Sequence, residues 1–228
     1  LYDAEGRVAG VLDAEGSLVE SRYDAAGRLS TTTRYATATA SAQRASGTLA
    51  ALRPAAHADD QTTTLLYNAK GQVAGIVDAE LRLTEKVYDA DGNLARVVRY
   101  ATRLASAPAA SATVASVRPA AHAEDQATAW TYDALGRPSQ ETNAEGTVTR
   151  FAYDTVGNLV TTTKAFGLAE LRTLHARFDV QGRRTGELSA EGGALLTGSQ
   201  TQAEIDAIWL QHGIAHAYDA AGRRMSTT

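Results

Sequence analysis

Cysteine is absent from this 228-residue chain. That excludes disulfides, thiolate metal sites and a cysteine nucleophile. Bulky apolar residues are scarce, with three Phe, one Met and two Trp. A single deep core usually draws on more of them, so apolar burial is expected to be spread thinly along an extended sheet. No run of 18 or more apolar residues occurs, so no membrane-spanning helix is expected. The net charge is only −4, which offers little attraction to nucleic acid or an anionic membrane. A Gly-x-Ser-x-Gly elbow and a phosphate-cradling Gly loop ending in Lys-Ser/Thr are also missing. The expectation is a non-enzyme without metal or other cofactor.

What is present is repetition. An aromatic, an Asp or Asn, two free positions and a Gly recur eight times. The copies are Tyr2, Asp3 and Gly6; Tyr23, Asp24 and Gly27; Tyr67, Asn68 and Gly71; Tyr88, Asp89 and Gly92. They continue as Tyr132, Asp133 and Gly136; Tyr153, Asp154 and Gly157; Phe178, Asp179 and Gly182; Tyr218, Asp219 and Gly222. Such a motif describes the tip of a β-hairpin. The Asp side chain accepts a hydrogen bond from a backbone N–H two residues on, and the free positions take right-handed turn dihedrals. The Gly takes the left-handed conformation that closes a type I turn with a bulge.

A longer period is superimposed. Tyr2, Tyr67 and Tyr132 are 65 residues apart (67 − 2 and 132 − 67), as are Tyr23, Tyr88 and Tyr153. Arg53 through Gln61 returns as Arg118 through Gln126 with one change, Asp59 to Glu124. This is duplication. Between the Tyr-Asp turns lies a second turn, Asp13-Ala14-Glu15-Gly16 and Asn143-Ala144-Glu145-Gly146. It decays to Asp78-Ala79-Glu80-Leu81 in one unit, and Ser189-Ala190-Glu191-Gly192 fills the slot in the last. Turns therefore start every 10 or 11 residues and leave six or seven for each strand, the rhythm of an all-β meander. The strands alternate: Leu29, Thr31, Thr33 and Tyr35 share one face, and Ser30, Thr32 and Arg34 the other. That suits an antiparallel sheet wetted on one side. The chain divides into units 1–65, 66–130, 131–176 and 177–228 of one repeat array, read as a fragment of a longer chain.

Two stretches, 36–66 and 101–131, are rich in Ala, Ser and Thr and read as excursions carrying a short helix on one face of the sheet. Thr48 through Leu52 offers a turn or two of helix before Pro54. In the last unit a helix is expected at about 201–212. Thr201 and Glu204 have the capping-box spacing, Ile205, Ile208, Trp209 and His212 fall on one stripe, and Gly213 stands where a helix C-terminal Gly belongs.

Candidate chemistry is thin. His212 and His216 have zinc-ligand spacing, but Gly213 intervenes and no third ligand is near, so packing is the reading. His57 and His122 are one residue in two copies with no nucleophile motif beside either. Asp89-Ala90-Asp91-Gly92-Asn93 begins like a calcium loop but lacks the downstream Glu. All nine Tyr belong to the repeat, seven at tips and two as Tyr35 and Tyr100. Cross-strand packing beside the turns explains them, with a sugar-stacking ladder as the functional alternative.

The repeated Tyr-Asp-x-x-Gly-Arg-Leu followed by Arg-Tyr resembles the YD repeat of Rhs proteins. It is carried by Tyr23 through Leu29 with Arg34 and Tyr35, Tyr88 through Leu94 with Arg99 and Tyr100, and Tyr153 through Leu159. That family includes bacterial polymorphic toxins, the B and C subunits of insecticidal toxin complexes, and teneurins. The resemblance implies an antiparallel hairpin sheet spiralling as part of a hollow shell, with short helical excursions. It also implies a non-catalytic segment of a secreted or cell-surface protein. Its partners would be the rest of its own shell and an enclosed C-terminal toxin domain. Surface adhesion to glycans is the alternative. The Asp-Pro-x-Gly segment that such a family uses to cut its cargo free does not occur in this chain. An excised piece is expected to expose sheet edges and to be association-prone.

Overall fold

The computed structural model describes residues 1–44, 47–109 and 111–228. Ala45, Ser46 and Ala110, within the two Ala-rich stretches, lie outside the described residues. Among the described residues, strand order equals chain order in a mostly antiparallel sheet of fifteen strands. The chain divides into two compact units.

The first unit comprises Leu1–Asp89 with Arg96–Ala127. Its strands are β1 (Gly10–Leu12), β2 (Leu18–Tyr23), β3 (Leu29–Arg34), β4 (Gln61–Tyr67), β5 (Val73–Val77), β6 (Arg82–Tyr88) and most of β7 (Leu94–Arg103). Hairpin strands β2 and β3, like β4 and β5, shift register just before the tip, between Arg22 and Tyr23 and between Leu66 and Tyr67. Two single-turn helices, α1 (Leu49–Leu52) and α2 (Val114–Val117), lie in the Ala-rich excursions. Each excursion straps across one face of the sheet. A Cβ on Gly10 would sit 2.8 Å from Leu49 Cδ1, and one on Gly75 would sit 2.7 Å from Val114 Cγ2. Both strap residues therefore occupy the space that the glycine leaves. Leu66, Val77, Leu83, Val98 and Tyr100 form a buried cluster with Val114. Burying a side chain such as Leu83 stabilises the fold by about 1.5–3 kcal/mol.

The second unit comprises Ala90–Ala95 with Thr128–Thr228. It holds most of β8 (Gln126–Tyr132), with β9 (Pro138–Thr142), β10 (Val148–Tyr153), β11 (Leu159–Lys164), β12 (Arg172–Phe178), β13 (Arg184–Leu188), β14 (Gly213–Tyr218) and β15 (Arg224–Thr227). Helices α3 (Ala190–Ala194) and α4 (Gln202–His212) connect β13 to β14, which pair with each other.

Three details depart from the sequence expectations. The slot at Ser189 is not a hairpin turn. Ser189 caps α3, its Oγ accepting from the Gly192 N–H at 3.3 Å, and the meander resumes only at β14. Gly213 does not close α4 in the left-handed conformation. It is extended (φ −99°, ψ 163°) and opens β14. Glycine is needed there because a Cβ would meet the Trp209 carbonyl oxygen at 2.5 Å. The turn at Asp78–Leu81 keeps its form without Gly. The Leu81 N–H donates to the Asp78 carbonyl at 3.0 Å, and Leu81 accepts φ 64°. A left-handed Leu costs roughly 1–2 kcal/mol, offset here by its packing against the buried cluster.

Candidate functional site: latched hairpin tips and two buried carboxylates

At Asp24 the backbone N–H donates to the Arg28 carbonyl (2.8 Å), and the Gly27 N–H donates to the Asp24 carbonyl (2.9 Å). One carboxylate oxygen accepts from the N–H groups of Ala26 and Arg28, both at 2.9 Å. The other accepts from Arg28 Nε at 2.8 Å. The same bonds recur at Asp3, Asp133, Asp179 and Asp219 with Arg7, Arg137, Arg183 and Arg223. At Asp154 the partner is Asn158, and at Asn68 it is Gln72. The tip glycines 6, 27, 71, 92, 136, 157, 182 and 222 have φ between +74° and +102°. Arg28, then the backbone N–H donors, hold the Asp24 carboxyl below the usual carboxylate range.

At six of the eight tips the aromatic residue does more than pack. Its hydroxyl reaches back to the preceding tip and donates to the carbonyl just beyond it. The pairs are Tyr23 to Val8 (2.9 Å), Tyr67 to Leu29 (2.7 Å) and Tyr88 to Val73 (2.9 Å). Likewise Tyr132 donates to Leu94 (2.8 Å), Tyr153 to Pro138 (2.9 Å) and Tyr218 to Arg184 (2.8 Å). The arginine of the preceding tip lies over the same ring: Arg7 over Tyr23, Arg28 over Tyr67, Arg137 over Tyr153 and Arg183 over Tyr218, at 4.3–4.9 Å from the centroid. Such cation–π contacts add about 0.5–1 kcal/mol at exposed sites. Asp thus aims Arg, Arg covers the next Tyr, and Tyr bonds back. Phe178 stands in the Tyr position of its tip and has no hydroxyl to complete the latch.

A second constellation was not legible from motifs. Glu20, 2% exposed, accepts from Tyr35 Oη (2.6 Å), from Arg53 Nε and Nη2 (both 2.7 Å) and from Arg22 Nε (2.9 Å). Glu85 repeats it with Tyr100 at 2.6 Å and Arg118 in the same fork. Arg53 and Arg118 come from the straps, so each fork ties a strap to the sheet. Burial pushes the Glu20 carboxyl up, but the bonds from Arg53, Tyr35 and Arg22 outweigh it and hold the carboxyl at about 2. Burial, then the Glu85 carboxylate, pushes the Tyr100 hydroxyl up to about 12. The only sequence signal was the common 65-residue offset of Glu20, Tyr35 and Arg53 to Glu85, Tyr100 and Arg118.

Three of the five histidines are spent on local contacts. His57 and His122 Nδ1 accept from the N–H groups of Asp59 and Glu124 at 3.2 Å. His216 lies between Glu187 and Thr227. Among the described residues, no group of three or more His, Asp or Glu is placed to hold a metal ion. No described helix is long and apolar enough to cross a membrane.

The RHS repeat family model matches residues 2–40 and 132–169. No curated protein matches the sequence. In fold, the chain is similar to TcdB2-TccC3 without its hypervariable C-terminal region, at TM-score 0.64 and 15% identity. It is similar also to TcdB2-TccC3-Cdc42 (TM-score 0.64, 15% identity) and to the Photorhabdus luminescens Tc holotoxin pore (TM-score 0.63, 16% identity). Each match covers all of this chain and 10% of the other, so this chain spans about a tenth of those chains.

Proposed function

The chain is an RHS/YD-repeat protein, and from that premise we propose that it is a non-catalytic wall segment of a larger secreted shell that encloses a C-terminal toxin domain. The observation that carries this reading is the latching of successive tips. Asp, Arg and Tyr, the residues a ligand would need, are already bonded to the protein itself. A surface whose polar groups satisfy one another holds a sheet together; it does not recognise a sugar. The carboxylate forks serve the same end by fixing the straps. On this reading units 1–65, 66–130, 131–176 and 177–228 are successive pieces of one wall, and its partners are the flanking wall and the enclosed domain.

Limited proteolysis of the full-length parent protein tests it. The expected result is a C-terminal domain protected in the intact protein and digested rapidly when expressed alone. Equal digestion in both contexts sinks the container reading. Binding of the chain to a glycan array, lost on Tyr23→Ala and Tyr67→Ala, would favour the adhesive alternative instead.

A further inference from the structure

We propose that α3 is an acid-released strap, held on the sheet by a neutral His175 and undocked when that imidazole takes a proton. The two glycines of α3 let its backbone lie directly on β12. A Cβ on Gly193 would stand 2.3 Å from the Thr173 carbonyl oxygen and 3.1 Å from His175 Cδ2. A Cβ on Gly192 would stand 2.5 Å from Leu188 Cδ1 and 2.7 Å from His212 Cβ. There is no slack between strap and strand, and the half-buried imidazole lies directly against the α3 backbone.

Among the described residues, no carboxylate is hydrogen-bonded to the ring; its partner is the Thr161 hydroxyl, with Oγ1 and Nδ1 3.4 Å apart. The elements packed round it bring one acid to the same cleft, Glu187 on β13, and it is already paired with Arg184 and His216. Thr161 comes from β11 and Leu188 from β13, and α4 brings His212, itself a base. Glu191, the acid of α3, is exposed. Arg177, two residues along the strand, is stacked on Trp209 and paired with Asp206. Burial pushes the His175 imidazole below its ordinary value. A cleft of about 340 Å³ lined by His175, His212, Leu188 and Ile214 brings water, and so protons, to the site.

The sign follows from linkage. A group whose proton affinity is lower when docked favours the undocked state as pH falls below its free value, about 6.5 for His. One unit below that value the docked fraction loses up to about tenfold.

Hydrogen exchange of residues 189–200 in the intact chain, corrected for intrinsic rates, reads this at pH 7.5 and 5.5. The wild type should lose up to about tenfold in protection on acidification. His175→Gln should keep neutral-pH protection and show no loss, while His212→Gln should still lose it. A wild type equally protected at both pH values overturns the proposal. So does a loss that survives in His175→Gln. Gly193→Ala, expected to be unprotected at both pH values, marks the undocked level.

Discussion

Residues 66–100 and 131–165 are the same stretch of sheet written twice, 65 residues apart, and one face of it differs. In the first copy Leu66, Val77, Leu83, Val98 and Tyr100 are buried under the strap that carries Val114. In the second the same positions hold Thr131, Thr142, Val148, Thr163 and Ala165. Gly75, which makes room for Val114, becomes Gln140, and buried Glu85 becomes exposed Arg150. The strap is gone as well, because only residues 165–171 join β11 to β12. Apolar side chains, the space-making glycine, the tethering carboxylate and the cover thus occur together or not at all. A sheet face without a cover reverts to Thr, which favours strands and tolerates water.

The largest predicted effect separates the two copies. Leu83→Ala should cost about 3 kcal/mol in urea unfolding, since it empties a fully buried site, whereas Val148→Ala should cost under about 1 kcal/mol. Equal losses would break the comparison. Next comes the fork. Glu85→Ala strands Tyr100 and Arg118. Because Arg118 is half-exposed, the loss should be about 2 kcal/mol, below the full penalty for a buried pair. Arg150→Ala should stay within about 0.5 kcal/mol. The forks also predict an acid response. The Glu20 carboxyl, held at about 2, contributes stability that is present above its unfolded value and lost as pH falls towards 2. Urea midpoints measured from pH 6 to 2.5 should fall more steeply for the wild type than for Glu20→Gln. Parallel curves would remove the fork from the account.

The meander was legible because its signals are local: a turn every 10 or 11 residues and alternation between. Helix α4 was legible for the same reason, through the Thr201–Glu204 capping box. What sequence could not give depends on distant partners. Glu20 meets Arg53 across 33 residues, and nothing near Glu20 announces its burial. The backward reach of Tyr67 to Leu29 spans 38 residues and rests on the register between β3 and β4. Ser189 carries the turn pattern, yet Gly192 and Gly193 make a surface flat enough for α3 to dock, and docking overrides the turn. Gly213 misled because a helix-ending Gly and a strand Gly in close contact look alike in sequence.

Tips occur both in strapped sheet and in the uncovered copy, so they should ignore the strap. Gly27 (φ +77°) and Gly136 (φ +75°) share a backbone conformation and open surroundings. Gly27→Val and Gly136→Val should each cost about 1–2 kcal/mol, the penalty for a branched side chain in the left-handed region. Thermal unfolding of the two variants checks it. A Gly27 variant that unfolds like wild type would mean that the tip is not what the motif encodes.

The smallest effect tests the latch at its one gap. Six tyrosines donate to the carbonyl just past the preceding tip, and Phe178 is the aromatic that cannot. By the register of the other six, its missing partner is the Leu159 carbonyl. Phe178→Tyr adds a single hydroxyl where an acceptor already waits, so it should stabilise by about 0.5–1 kcal/mol. Tyr153→Phe removes the bond to Pro138 and should cost a similar amount. Opposite signs from adding one hydroxyl and removing another would isolate the hydroxyl from ring packing, which both variants keep. If both variants instead shift in the same direction, the ring and the Arg stacked on it hold adjacent hairpins, and the hydroxyl bond is incidental.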